Sequence, residues 1–301
     1  MRVFVTGATG FIGSAVVREL IGAKHQVIGM ARSDAGAKAL RDAGATVHRG
    51  DLQDLESLRT GAAMADAVIH LAFNHDFSKY LVNCESDRRA IEALGSALAG
   101  TDRLLLVTSG TLATTASGRP ATEDDRAASS KVVPRAASEE AADALAAKGV
   151  PVSIVRLPQV HDTVKQGLVT YAVAVAREKG VSAYVGDGSN RWAATHVFDA
   201  ARLYRLALER QEAGVKYHAV AEEGVPVREI AEALGRGLNI PVVSQSPEEA
   251  GAHFGWLAAF IGRDAPCSSA LTQKRLRWTP TGPGLISDLD RMNYFAFAQS
   301  A

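Results

Sequence analysis

Cysteine is scarce in this chain of 301 residues: Cys84 and Cys267 stand alone, neither with a second cysteine at Cys-x-x-Cys spacing. That excludes a disulfide framework and a cysteine-rich metal site, and leaves two ordinary semi-buried thiols. An excess of either charge is also missing, because 33 basic residues face 33 acidic ones. Without a basic excess there is no electrostatic footprint for a polyanion, so nucleic acid is not expected as a partner. No apolar run approaches the ~20 residues of a membrane-spanning helix. Met1 leads into Val3-Phe4-Val5 without the basic and apolar regions of a secretory signal, so no membrane partner and a cytoplasmic location are expected. The eight histidines are scattered, no His-x-x-x-His pair occurs, and no metal is expected. A Gly-x-Ser-x-Gly elbow is absent too, which argues against an α/β-hydrolase.

What is present is the composition of a globular protein, 47% apolar and 22% charged, with room for one large domain or two that share an interface. Short apolar runs at Arg2–Val5, Gln26–Met30, Ala45–His48, Ala67–Leu71, Leu104–Thr108 and Val152–Arg156 alternate with helix-like stretches such as Ser14–Ala23, Asp54–Gly61 and Tyr80–Ala99. That rhythm predicts an α/β fold, a doubly wound parallel sheet of Rossmann type buried on both faces. Residues 1–160 read as the dinucleotide-binding core. Residues 161–301 read mainly as a smaller, mostly helical C-terminal substrate lobe, with some segments returning to the core. Ser117–Ser130, polar and interrupted by Pro120, reads as a surface loop.

The first thirteen residues are the most informative. After the strand Val3-Phe4-Val5, the run Thr6-Gly7-Ala8-Thr9-Gly10-Phe11-Ile12-Gly13 spaces its glycines by three and opens directly into a helix. Glycines there let the backbone approach a pyrophosphate, and the helix N-terminus with its free N–H groups binds the charge. Gly7, Thr9, Gly10, Phe11, Ile12 and Gly13 are the candidate cradle.

At these residues the chain resembles the short-chain dehydrogenase/reductase superfamily, in the extended or atypical branch usually labelled NAD-dependent epimerase/dehydratase. The resemblance continues through Gly50-Asp51-Leu52, His70-Leu71-Ala72, Thr108-Ser109 and Arg156-Leu157-Pro158, clearly over about residues 1–210. It implies that Leu71, Ala72, Phe73, Leu157, Pro158 and Val160 flank the cofactor, and that Asp51 with Leu52 lies against the adenine, unless Asp51 only starts the next helix. Where relatives carry an acidic residue for the ribose of NAD, this chain has Ala31 followed by Arg32 and Ser33. A guanidinium and a hydroxyl suit a 2′-phosphate, so NADP(H) is expected over NAD(H). Asp34 serving the ribose is the alternative.

The family's Tyr-x-x-x-Lys pair is missing: none of the six tyrosines has Lys four residues later. The matching positions carry Arg135 and Glu139, which reverses the local chemistry, because a guanidinium cannot act as a general acid and a carboxylate could meet ribose hydroxyls only as an acceptor. The plain alternative is an exposed i,i+4 ion pair. Replacement groups are His75 with Asp76 after the fourth strand, Ser109 after the fifth, and His161, each of which also has a structural reading. Asn74, Thr111, Tyr184, Arg191 and Trp192 are the candidate substrate contacts, with Arg191 able to clamp an anion, while Asp199 reads as a helix N-cap. The expected function is an NADP-dependent oxidoreductase acting on a carbonyl or related group of a small molecule. An NADP-sensing regulator is the alternative outside enzymes, and an epimerase or dehydratase the alternative within them. The long helices near Tyr80–Ala99 and Arg135–Ala147 hold the positions by which relatives often form homodimers.

Overall fold

The computed structural model describes residues 1–114 and 118–294; Ser117, the first residue of the expected surface loop, lies outside them. Six strands and their helices alternate as the apolar runs require: β1 (Arg2–Thr6), α1 (Phe11–Gly22), β2 (Gln26–Ala31), α2 (Asp34–Asp42), β3 (Thr46–Arg49), α3 (Leu55–Ala63), β4 (Ala67–His70), α4 (Tyr80–Ser96), β5 (Leu105–Gly110), α5 (Ala137–Ala146) and β6 (Val152–Leu157). The rest of the chain adds β7 (Gln159–His161), α6 (Val169–Lys179), β8 (Ser182–Val185), β9 (Arg191–His196), α7 (Val197–Arg210), β10 (Lys216–His218), β11 (Glu222–Pro226), α8 (Val227–Leu238), β12 (Val242–Gln245), α9 (Pro247–Phe254), α10 (Ala258–Ile261), α11 (Ala270–Leu276) and α12 (Leu285–Arg291).

The main sheet has seven strands in the order β10-β6-β5-β4-β1-β2-β3, all parallel. Val3, Phe4 and Val5 are sealed from solvent, as expected of a central strand covered on both faces. On one face α1 packs against α7; on the other, α3, α4 and α5 pack in series. Strand order reverses between β1 and β4, whose ends pair Thr6 with His70. That reversal opens the crevice in which open α/β sheets bind ligands.

The C-terminal lobe is mainly helical, but it also holds five short strands that periodicity did not indicate. β11-β9-β7 form one small sheet and β12-β8 another. Two of its segments return to the core, α7 against α1 and β10 on the edge of the main sheet beside β6.

Candidate active site

The glycine turn is built for close approach. Gly7 has φ +66, and a Cβ there would sit 2.7 Å from the Ala72 nitrogen, so only glycine lets β1 and the chain after β4 come this near. A Cβ on Gly13 would overlap the Gly7 carbonyl oxygen at 1.9 Å, which fixes α1 tightly on the turn. The N-terminus of α1 has no side-chain cap and no acidic residue in its first turn, while Thr9 and Gly10 are exposed and Phe11 and Ile12 partly so. The Gly10 N–H donates back to the Gly7 carbonyl at 2.9 Å, so the N–H groups of Phe11, Ile12 and Gly13 and the positive dipole end are left for an anion. These residues fit the pyrophosphate of a nicotinamide dinucleotide.

At the end of β2, Arg32 is exposed and has no hydrogen-bond or ion-pair partner among the described residues. The Ser33 hydroxyl caps α2 by accepting from the Gly36 N–H at 3.1 Å. Asp34, almost fully exposed, turns one oxygen to Arg49, which stands opposite Ala31 in the β2–β3 register. Arg49 was not legible as a site residue, because only the register brings it to the end of β2. Asp51 binds the Gln53 N–H at 2.9 Å, and the cap of α3 is Asp54 instead. Leu52 is half-buried against the core on that side.

Beyond the turn a chain of buried hydrogen bonds crosses the crevice floor. The Thr6 hydroxyl accepts from the N–H groups of Leu71 and Ala72 and meets His70 Nδ1 at 2.7 Å. His70 Nε2 lies 3.0 Å from Asp87 Oδ1. Asp87 Oδ2 in turn accepts from Arg135 Nη1 at 2.9 Å and from the Ser138 hydroxyl. Arg135 Nη2 donates to the Thr108 carbonyl at 2.9 Å, and the guanidinium lies 4.4 Å from the centre of the Phe73 ring. Burial alone would raise the Asp87 pKa, but Arg135, His70 and Ser138 outweigh it and hold the carboxyl below the ordinary range. Asp87 went unnoticed in the sequence; the available signal was its place on α4 one turn after Asn83, whose amide fixes the loop after β4 through the Asp76 carbonyl at 2.8 Å.

Arg135 and Glu139 do not form the exposed pair that their spacing allows. Glu139 is 1% exposed and bidentate to Arg156, with both contacts at 2.8 Å, and Lys216 approaches it at 3.4 Å. Its oxygens are thus committed inside the protein, away from any ribose. Ser109 is also buried and lies against Glu139.

His75 and Asp76 are adjacent in sequence but not a working dyad. The Asp76 carboxylate binds the N–H and hydroxyl of Ser78 and caps a short turn at Phe77–Lys79. His75 keeps an exposed edge, yet its surroundings desolvate it and Arg135 and Lys165 repel a proton, so its pKa falls below the usual histidine value. Asp76 does not hold it protonated. Asn74 is exposed, its side-chain oxygen accepting from the Asp76 N–H.

Several other candidates fall inside the structure rather than on the crevice. His161 is sealed, with Nδ1 2.8 Å from Asp288. Val160 is in the core and Trp192 in the core of the lobe, so neither walls a pocket. The Thr111 hydroxyl is buried toward the Leu157 carbonyl. Arg191 is held by Asp264, through its backbone N–H at 2.7 Å and its guanidinium at 3.1 and 2.9 Å. Tyr184 lies under Arg228 at 5.6 Å. His196, not Asp199, caps α7; Asp199 instead accepts from the Thr281 and Gly282 N–H groups. Leu71, Ala72, Phe73, Leu157 and Pro158 stay partly open at the crevice.

The profile of the NAD dependent epimerase/dehydratase family matches residues 3–221. An uncharacterized Schizosaccharomyces pombe protein is 49% identical over 98% of this chain and 100% of its own length. The 2'-dehydrokanamycin reductase of Streptomyces kanamyceticus is 31% identical over 79% of this chain and 68% of its own. Among solved structures, a dTDP-glucose 4,6-dehydratase from Streptomyces venezuelae, with NAD and TYD bound, superposes with a TM-score of 0.77. It covers 99% of this chain and 97% of its own at 20% identity, a likeness of fold.

Proposed function

The chain belongs to the NAD dependent epimerase/dehydratase family, and from that premise we propose that it is an NADP-dependent oxidoreductase acting on a carbonyl or related group of a small organic molecule. The observation that carries this reading is the crevice floor itself, which runs from the open α1 N-terminus through Thr6, His70 and Asp87 to Arg135. In this reading the α1 N-terminus serves as the phosphate cradle and Arg135 as a fixed cation at the other end of the floor. Arg32, with Arg49 behind it, supports NADP over NAD, while the acidic alternative Asp34 turns one oxygen to Arg49. Epimerases and dehydratases need a residue that takes and returns a proton; a guanidinium and a sealed Glu139 favour reduction instead. The reductase among the relatives points the same way.

When bound, the reduced nicotinamide supplies a hydride to an electrophilic carbon. The chain's part is to hold the pyrophosphate at Gly7–Gly13 and the 2′-phosphate at Arg32, and to line the nicotinamide half with Leu71–Phe73 and Leu157–Pro158. Arg135, fixed by Asp87, lends positive charge where an oxyanion develops, without giving up a proton. His75, at the solvent edge, passes the proton that completes the product. The domain reading follows: residues 1–160 bind the dinucleotide, and residues 161–301 mainly close over the substrate. The same proposal includes a homodimer through α4, where Leu81 and Val82 are exposed.

A panel of ketones, aldehydes, enones and imines, offered with NADPH and with NADH while the absorbance of the reduced cofactor is followed, tests the proposal. Turnover with NADPH supports it. Tight NADPH binding without turnover of any class would select the regulator that senses the NADP pool.

A further inference from the structure

A row of aromatic rings leads out of the crevice. Beside Arg135 lies Phe73; His75 meets it edge-on at 5.2 Å and Phe77 at 6.2 Å. Phe77 then stacks on Trp256, with centroids 4.1 Å apart and planes 5° from parallel. Tyr80, Tyr171 and Phe260 surround Phe77 at 5.5, 5.4 and 6.1 Å. Six of the chain's eighteen Phe, Tyr and Trp residues therefore gather in one place.

This is not a core. Trp256 is 39% exposed and the other five are only partly buried, whereas Phe4, Trp192, Tyr204, Tyr217 and Trp278 are fully sealed elsewhere. The rings come from two bodies. Phe73 and Phe77 belong to the chain between β4 and α4 and Tyr80 opens α4, while Tyr171 lies on α6 and Trp256 and Phe260 in the lobe segment 255–261. Gly255, with φ 56 and ψ −131, sets the turn that delivers Trp256, a conformation a residue with a Cβ adopts only with strain. The stacked Phe77–Trp256 pair, with Trp256 partly exposed, presents a flat aromatic surface on which a further planar ring can pack.

Charge around the row is positive. Arg135 and Lys165 act on His75, and Arg135 and Arg263 act on Tyr80. Arg263 also reaches across to the Leu112 carbonyl at 3.1 Å. Elsewhere in the lobe, Arg191 pairs with Asp264 and Arg228 with Glu232.

We propose that this protein's substrate is an aryl-substituted carbonyl compound, its planar arene packed on the Phe73–His75–Phe77–Trp256 row and its carbonyl oxygen directed to Arg135. The proposal rests on the oxidoreductase reading and names the substrate class for that site. In the reaction, hydride from NADPH forms the new C–H bond as the C=O π pair moves to oxygen. A solvent proton completes the alcohol, and NADP⁺ is released.

The test measures calorimetric binding of benzylacetone, its cyclohexyl analogue and UDP-glucose to the protein in excess oxidised NADP, where no turnover occurs. Benzylacetone should bind roughly 3- to 10-fold more tightly than the cyclohexyl compound, the range of one or two aromatic contacts. Trp256→Leu, at a partly exposed position, should erase that preference, and Phe77→Leu should reduce it. Equal affinity for the two ring types, tighter binding of UDP-glucose, or a ring preference that survives both substitutions would overturn the proposal. NADPH oxidation is read separately. A ring preference that depends on Trp256, with no oxidation of NADPH by any carbonyl compound, sustains the aromatic site and sinks only the oxidoreductase reading.

Discussion

Arg135 shows how one partly buried guanidinium organises its neighbourhood. A guanidinium there requires a buried carboxylate, and Asp87 provides it 48 residues away in sequence. Removing one member of a buried pair strands the other's charge, at a cost of about 3–5 kcal/mol. Arg135→Gln and Asp87→Asn should therefore each lower the thermal midpoint sharply, and the double variant should recover part of the loss in a double-mutant cycle. Strict additivity would show that the two do not act as a pair. The sign of the pH effect follows from the direction of the Asp87 shift. Its pKa is lowered on folding, so the stability it contributes is full above the unfolded value near ~3.9 and fades as pH falls through the lower folded one. The difference between wild type and Asp87→Asn should accordingly shrink in strongly acidic urea melts. For His75 the lowered pKa means that the imidazolium accumulates only below about 6.5. If His75 passes the proton, single-turnover reduction should quicken as pH falls past that point, and His75→Ala should flatten the profile. An unchanged profile in His75→Ala would move the proton source to a bound water.

Elements differ in how openly the sequence announces them. The central strands of the main sheet are buried on both faces, so they appear as continuous apolar runs such as Val3-Phe4-Val5 and Leu104–Thr108. β12 is a counterexample, because Val242 and Ser244 are exposed and four residues leave no period to recognise. The glycine turn is equally legible, since every contact it needs is local. Glu139 and Arg156 are not: 17 residues apart, they meet only after α5 docks on β6. The same holds for α12, whose anchor is the bond from His161 on β7 to Asp288, 127 residues away. Burial lowers the His161 pKa more than Asp288 restores it. A histidine whose folded pKa is lowered stabilises the fold above the unfolded value near ~6.5 and loses that contribution as pH falls through the folded one. Protection of the Leu285–Arg291 amides, taken relative to their intrinsic exchange rates at each pH, should therefore fall between neutral and mildly acidic pH, and His161→Gln should remove that dependence. Protection in this segment that ignores pH in the wild type would contradict the anchoring role.

Across the whole molecule, the sheet reversal at β1 and β4, the open end of α1 and the cation at Arg135 converge on one cleft, while the lobe brings Trp256 and Phe260 to its mouth. Light scattering should report two chains per particle if the exposed Leu81 and Val82 are an interface, and Leu81→Glu should yield monomers. The central claim, an NADP-dependent cleft, is tested most directly by titrating NADPH and NADH into wild type and Arg32→Ala in a calorimeter. Losing a charge-assisted contact of ~1.5–3 kcal/mol should weaken NADPH by roughly 10- to 150-fold and leave NADH nearly unchanged. Tighter NADH binding by the wild type, or equal weakening of both cofactors in Arg32→Ala, would contradict it.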